Sequence, residues 1–145
     1  MNINEIQIRD PYVYVEDGKY YLYGSTDSNI WKGDGHGFNC YLSSDLKEFE
    51  PLGNVFDRPE TYWGKYNFWA PEMHYYKGKY YLFASFKADG VCRGTAVLKA
   101  DCPQGPFRPW SESALTPPEW ECLDGTLYVE NDVPYLIFCH EWVQV

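Results

Sequence analysis

Three times this 145-residue chain writes the same strand–turn–strand segment, with copies opening at Asp10-Pro11, Ala70-Pro71 and Asp124-Gly125. Residues 18–22 and 78–82 match letter for letter 60 positions apart, and Asp10 maps onto Asp124 at a distance of 114. Self-similarity at roughly 50–60 residues marks a repeat architecture, and with strand-rich units that architecture is a β-propeller. A propeller brings the start of every innermost strand to one central channel. Acids at equivalent repeat positions therefore meet in space although they are distant in sequence.

The expected fold is all-β, because strand signals dominate and no window sustains a 3.6-residue apolar period. The first unit covers about 9–55, with strands near 11–16, 20–25 and 38–43 and a short outer strand. Its first turn holds Asp17-Gly18, a strong hairpin signal. A second unit over about 70–112 repeats the plan, with strands near 72–76, 80–86 and 94–100. Residues 53–69 between them read as a long connection rich in aromatics (Tyr62, Trp63, Tyr66, Phe68, Trp69), and connections of that length are usually functional. A third unit, about 123–145, supplies strands near 126–130 and 134–140 and then stops two strands short. The whole of 1–145 is thus one partial propeller domain of about two and a half blades.

Net charge narrows the ligand class. With 21 acids against 12 bases, a net of -9, neither nucleic acid nor an anionic membrane suits the chain as partner. Aromatics reach 19%, including 14 Tyr and 6 Trp. Rings stack on the apolar faces of sugars while carboxylates accept their hydroxyl protons, so a neutral polyhydroxylated ligand fits better. Aromatic residues also fill β-sheet cores, which is the competing explanation for any one of them. Five cysteines, an odd number without CxxC spacing, indicate neither a disulfide framework nor a zinc site. Free thiols and an N-terminus without a secretory pattern lead to the expectation of a cytoplasmic protein. No metal site is expected from the three His, which lack HExxH spacing.

Chemistry concentrates at the repeat starts. Asp is rare inside strands, so Asp10 and Asp124, in one register with Trp69-Ala70-Pro71-Glu72 between them, read as residues that project into the channel. His36, in Gly33-Asp34-Gly35-His36-Gly37, either lines the entrance or simply belongs to a Gly-rich loop.

Arg9-Asp10-Pro11, Ser43-Ser44-Asp45-Leu46, Phe68-Trp69-Ala70-Pro71-Glu72, Gly105-Pro106-Phe107 and Leu123-Asp124-Gly125, in this order and at these distances, resemble glycoside hydrolase family 43. The resemblance implies a five-bladed propeller that hydrolyses α-L-arabinofuranosides and β-xylosides with inversion. It implies that Asp10 is the general base and that Asp124 orients the general acid and raises its pKa. Trp69 becomes a wall of the sugar subsite, with Phe68 and Glu72 lining it. An inverting site sets base and acid roughly 6.5–9.5 Å apart so that a water fits between them. The family's acid is a Glu on the next inner strand, about one blade beyond Asp124, and no Glu of this chain sits at that repeat position.

The expected partner is a carbohydrate, and the resemblance leaves a structural calcium on the propeller axis undecided. The open third unit implies a missing C-terminal half or a homodimer, since two copies of two and a half blades make up five. The rival functional readings are a non-catalytic carbohydrate-binding half-propeller and a truncated gene product.

Overall fold

A computed structural model describes residues 1–141; positions 142–145, the end of the expected third unit, lie outside the described residues. Two four-stranded antiparallel sheets and one two-stranded sheet follow one another along the chain. The first holds β1 (Arg9–Glu16), β2 (Lys19–Ser25), β3 (Asn39–Ser43) and β4 (Glu50–Asn54). The second holds β5 (Tyr66–Tyr76), β6 (Lys79–Ala88), β7 (Val91–Ala100) and β8 (Arg108–Pro109). The third pairs β9 (Cys122–Glu130) with β10 (Val133–His140). This is a partial β-propeller: two blades and the inner half of a third.

Each unit is opened by the same hairpin. Both central turn residues have positive φ in every copy: Asp17 and Gly18, Lys77 and Gly78, Asn131 and Asp132. That backbone matches the right-handed twist of the flanking strands, which is why a two-residue turn closes each inner pair.

Each inner strand is also broken at the same place. Pairing slips by one residue between Arg9 and Tyr12, between Trp69 and Glu72, and between Leu123 and Thr126. The extra residue is a bulge, and the residue after the slip begins, Asp10, Ala70 or Asp124, has φ of 50°, 45° or 54°. A left-handed residue is unfavourable for anything but glycine, so its recurrence at three equivalent positions is a property of the architecture.

Between the first two blades lies an aromatic core. Tyr23, Phe38, Phe56, Tyr62, Phe68, Phe86 and Phe107 pack there with Met73, Leu82 and Leu98. The connection expected over 53–69 is shorter than its composition implied, because β5 starts at Tyr66. Asn67 and Ala70 both take positive φ inside β5, and the two bulges hide the alternation that marks a strand. Tyr62 is carried into the core as well.

The second seam is looser. Phe83, Val97, Trp110 and Leu115 of the second blade face Leu127, Pro134 and Leu136 across an apolar cleft of about 250 Å³. Beyond it, Tyr128, Val133, Tyr135 and Ile137 are exposed, as are Val13 and Val15 at the other end of the array.

Candidate active site

Two serines assemble the mouth. Ser25, at the end of β2, donates its hydroxyl to Asp10 Oδ2 at 2.8 Å and accepts the N–H of Ala70 at 2.9 Å. Ser85, its counterpart in β6, accepts the N–H of Asp124 at 3.1 Å. Each serine therefore ties its own blade to the bulge of the next. The three bulges are thereby linked in series, and Asp10 and Asp124 are both exposed.

Asp124 feels the charges of the other acids. Burial pushes the Asp124 carboxyl above its ordinary range, and the charges of Asp10, Glu72 and Glu141 push it further. Like charges at close quarters disfavour ionisation of all of them at once. Gly125 leaves no room for substitution here, since a Cβ would overlap Thr95 of β7.

Glu72 sits two residues past its bulge, in the register of Tyr12 and Thr126 rather than of the two aspartates. It lies 3.2 Å from His74 Nε2, which is 3.3 Å from Thr126 Oγ1, while the His74 ring lies against Tyr12 and Phe83. The Tyr12 phenol is pushed up by burial and by Glu72. This group carries the wall of the mouth across the open second seam.

Trp69 is half-buried and fixed from three sides. Its Nε1–H donates to the Ile30 carbonyl at 2.6 Å, the Arg93 guanidinium lies 4.2 Å from its ring centre, and Trp31 meets it edge to face at 5.3 Å. Arg93, 9% exposed, also bonds Glu141 and the Asn67 side chain. Its main-chain N–H goes to Glu121 at 2.6 Å, and Glu121 is paired with Lys87. Burial alone would raise the Glu121 carboxyl, but Lys87 and the Arg93 N–H outweigh it and hold it below the usual range.

Two of the expected site residues lie elsewhere. Phe68, 1% exposed, is core, not sugar surface: the β5 bulges turn it inward onto Phe38, Phe56 and Phe86, with Gly35 pressed over it. His36 is mostly exposed and bonds Asp27 at 3.1 Å, and none of its contacts reaches Asp10, Asp124 or Trp69. Among the described residues, no group of three or more His, Cys, Asp or Glu is placed to hold a metal ion.

Sequence reasoning missed Ser25, Ser85, Arg93, Glu141 and Trp31. The serines were detectable, because they repeat at the same 60-residue spacing as the hairpins. Arg93 and Glu141, 48 positions apart, had no local signal.

Comparison with known proteins agrees with this geometry. The profile of Glycosyl hydrolases family 43 matches residues 3–144. A Bacteroides ovatus protein named Xylosidase/arabinosidase is 30% identical over 135 residues, 83% of this chain and 42% of its own length. The Extracellular endo-alpha-(1->5)-L-arabinanase 1 of Bacillus subtilis (strain 168) is 30% identical over 151 residues, 96% of this chain and 45% of its own. The crystal structure of an endo-arabinase from Bacteroides thetaiotaomicron VPI-5482 superposes with a TM-score of 0.86 at 38% identity, covering 98% of this chain and 48% of that one. A propeller mouth ringed by bulged aspartates, matched over nearly its whole length, makes this chain a member of glycosyl hydrolase family 43. It spans a little under half the length of these relatives.

Proposed function

We propose that the chain forms the base-bearing half of an inverting glycosidase site acting on arabinofuranosides or xylosides. The observation that carries this reading is the pair of aspartates on equivalent bulges, with the Asp124 carboxyl pushed up by burial and by Asp10. Asp10 takes a proton from water as that water attacks the anomeric carbon from the face opposite the leaving group. The glycosidic oxygen departs as an alcohol once a general acid has given it a proton. Asp124 orients that acid, and its negative charge keeps the acid protonated near neutral pH. The Ser25 hydroxyl bond leaves one Asp10 oxygen free to face the water.

Neither spare glutamate fits the role of acid. Glu141 is ion-paired with Arg93, and Glu121 with Lys87, so both are taken up in pairs within the fold. In the pattern that the family resemblance implies, the acid stands on a further inner strand. General-acid help is worth roughly 10²–10⁴-fold, and an alkoxide leaves slowly without it. The purified chain is therefore expected to leave arabino- and xylo-oligosaccharides intact while retaining sugar binding that depends on Trp69. A nitrophenyl glycoside needs the proton less and is expected to turn over weakly at most. Efficient cleavage of a natural oligosaccharide by the chain alone overturns the assignment.

The same reading asks that the open faces at Val13 and Val15 and at Tyr128, Tyr135 and Ile137 be covered, since bared apolar area and free strand edges are unfavourable. The cover is either a second copy of the chain or further blades of the same protein. Light scattering decides: a dimer supports the second copy, and a stable monomer rules it out.

A further inference from the structure

One face of the second blade changes character along its length. Antiparallel pairing sets Tyr81 opposite Lys99 and Lys99 opposite Arg108, and two residues further along β6 it sets Phe83 opposite Val97. Alternate residues of a strand share a face, so Lys79 stands on the same side as Tyr81 and Phe83. Trp110, whose N–H goes to the Val97 carbonyl at 2.9 Å, carries the apolar row outward. A cationic row therefore borders an apolar one. The cations lie at the hairpin end of the blade, away from the mouth, because Lys79 directly follows the turn that closes β5 and β6.

Positive charge is in local excess there. Lys79 pairs with Asp101, and Arg108 with Asp57 at 2.9 Å. Lys99 enters no ion pair among the described residues, and its ammonium lies 5.9 Å from the centre of the Tyr81 ring. The Asp101 carboxyl is held below its ordinary range by Lys79 first, and by Lys99 and Arg108 as well. Three of the chain's 12 bases thus converge near one exposed carboxylate, in a protein that carries 21 acids. These three cations line a cleft of about 320 Å³. Trp110, 56% exposed, walls that cleft and also the apolar cleft at the second seam, and its ring meets Tyr81 edge to face at 6.1 Å. Past Trp110 the lining turns to Phe83, Leu127 and Leu136.

A ligand that occupies both compartments has an anionic head and an apolar body. A bare anion leaves the Trp110 wall wet, and a purely apolar molecule leaves the cations unused. Tyr81, Phe83 and Trp110 favour an aromatic body, since rings gain from edge-to-face contact with other rings. An ammonium and a guanidinium side by side favour a carboxylate head through charge-assisted hydrogen bonds. We propose that the cleft beside Trp110 binds an aryl carboxylate, its ring against Trp110 and Phe83 and its carboxylate at Lys99 and Arg108. The site is separate from Asp10 and Asp124, and the inference does not depend on the sugar chemistry assigned to them.

Calorimetric titration of the purified chain with phenylacetate, with its neutral counterpart phenylethanol, and with acetate tests it. A hydrogen bond to a charged group is worth about tenfold in affinity, so phenylacetate is expected to bind about tenfold more tightly than phenylethanol. Acetate, which lacks the ring, is expected to bind about tenfold more weakly than phenylacetate. Lys99→Gln lowers the acid-to-alcohol ratio toward one, and Trp110→Ala weakens both aromatic ligands. Should Trp110→Ala fail to fold by circular dichroism, Arg108→Gln joins Lys99→Gln as the second variant, with a reduced ratio expected. Equal binding of the acid and the alcohol overturns the proposal, as does equal binding of phenylacetate and acetate or an unchanged ratio in folded Lys99→Gln. Failure of the unmodified chain to bind phenylacetate overturns it as well, and leaves the seam to a second copy or to further strands.

Discussion

Asp10 and Asp124 occupy the same position of the same bulge in the same left-handed conformation, and they are chemically unlike. Asp10 receives a hydroxyl from Ser25 at 2.8 Å. Asp124 is exposed overall, yet partial burial raises its carboxyl and the charges of Asp10, Glu72 and Glu141 add to that effect. At its blade the serine bond goes to the backbone N–H instead of the carboxylate. The repeat thus sets where each acid sits, and non-repeated neighbours raise the proton affinity of Asp124.

The largest effect on this contrast is expected from Arg93, which ties Glu141, on the Asp124 side of the mouth, to the face of Trp69. Arg93→Met strands Glu141, whose side chain is 12% exposed, and removes the cation from the face of Trp69. Leaving one partner of a buried ion pair costs about 3–5 kcal/mol, read as a lower urea midpoint. Adding Glu141→Gln recovers part of that loss. A single variant as stable as the parent means the pair adds nothing to this side.

A middle-sized effect separates the two serines. Ser25→Ala removes a bond to Asp10 and the acceptor of the Ala70 N–H, whereas Ser85→Ala removes only the acceptor of the Asp124 N–H. At about 1 kcal/mol per hydrogen bond, the first substitution is expected to cost about twice the second in chemical denaturation. Equal costs would make the two stitches equivalent and the Ser25–Asp10 bond incidental.

The smallest effect is a slope with pH. A carboxyl whose folded pKa lies above its unfolded value binds more protons in the native state, so stability falls as pH rises through the window between the two values. For Asp124 that window opens at the ordinary aspartate value near 3.8 and extends upward. Asp124→Asn removes the penalty. The variant's stability relative to the parent is therefore expected to grow from acid toward neutral pH, as measured by urea midpoints at several pH values. A flat difference would mean that solvent screens the cluster of carboxylates.

Several features were legible in the linear code because they are local or repeated. Asp17-Gly18 at the first hairpin states its own turn geometry, and a 60-residue repeat of residues 18–22 declares a propeller before any contact is known. The two aspartates were visible for the same reason, as was Trp69. Other features needed the fold. Phe68 and Trp69 are adjacent letters, yet two bulges in β5 send one into the core and hold the other at the mouth. Arg93 and Glu141 are 48 positions apart and meet only when the second and third blades come together. Trp31 comes to lie against Trp69 only through the folded contacts of its loop with β5 and Arg9. Periodicity records which residues share a face, because backbone geometry is local. A pKa or a stacking surface depends on which side chains arrive from other blades, and only the packed tertiary structure decides that.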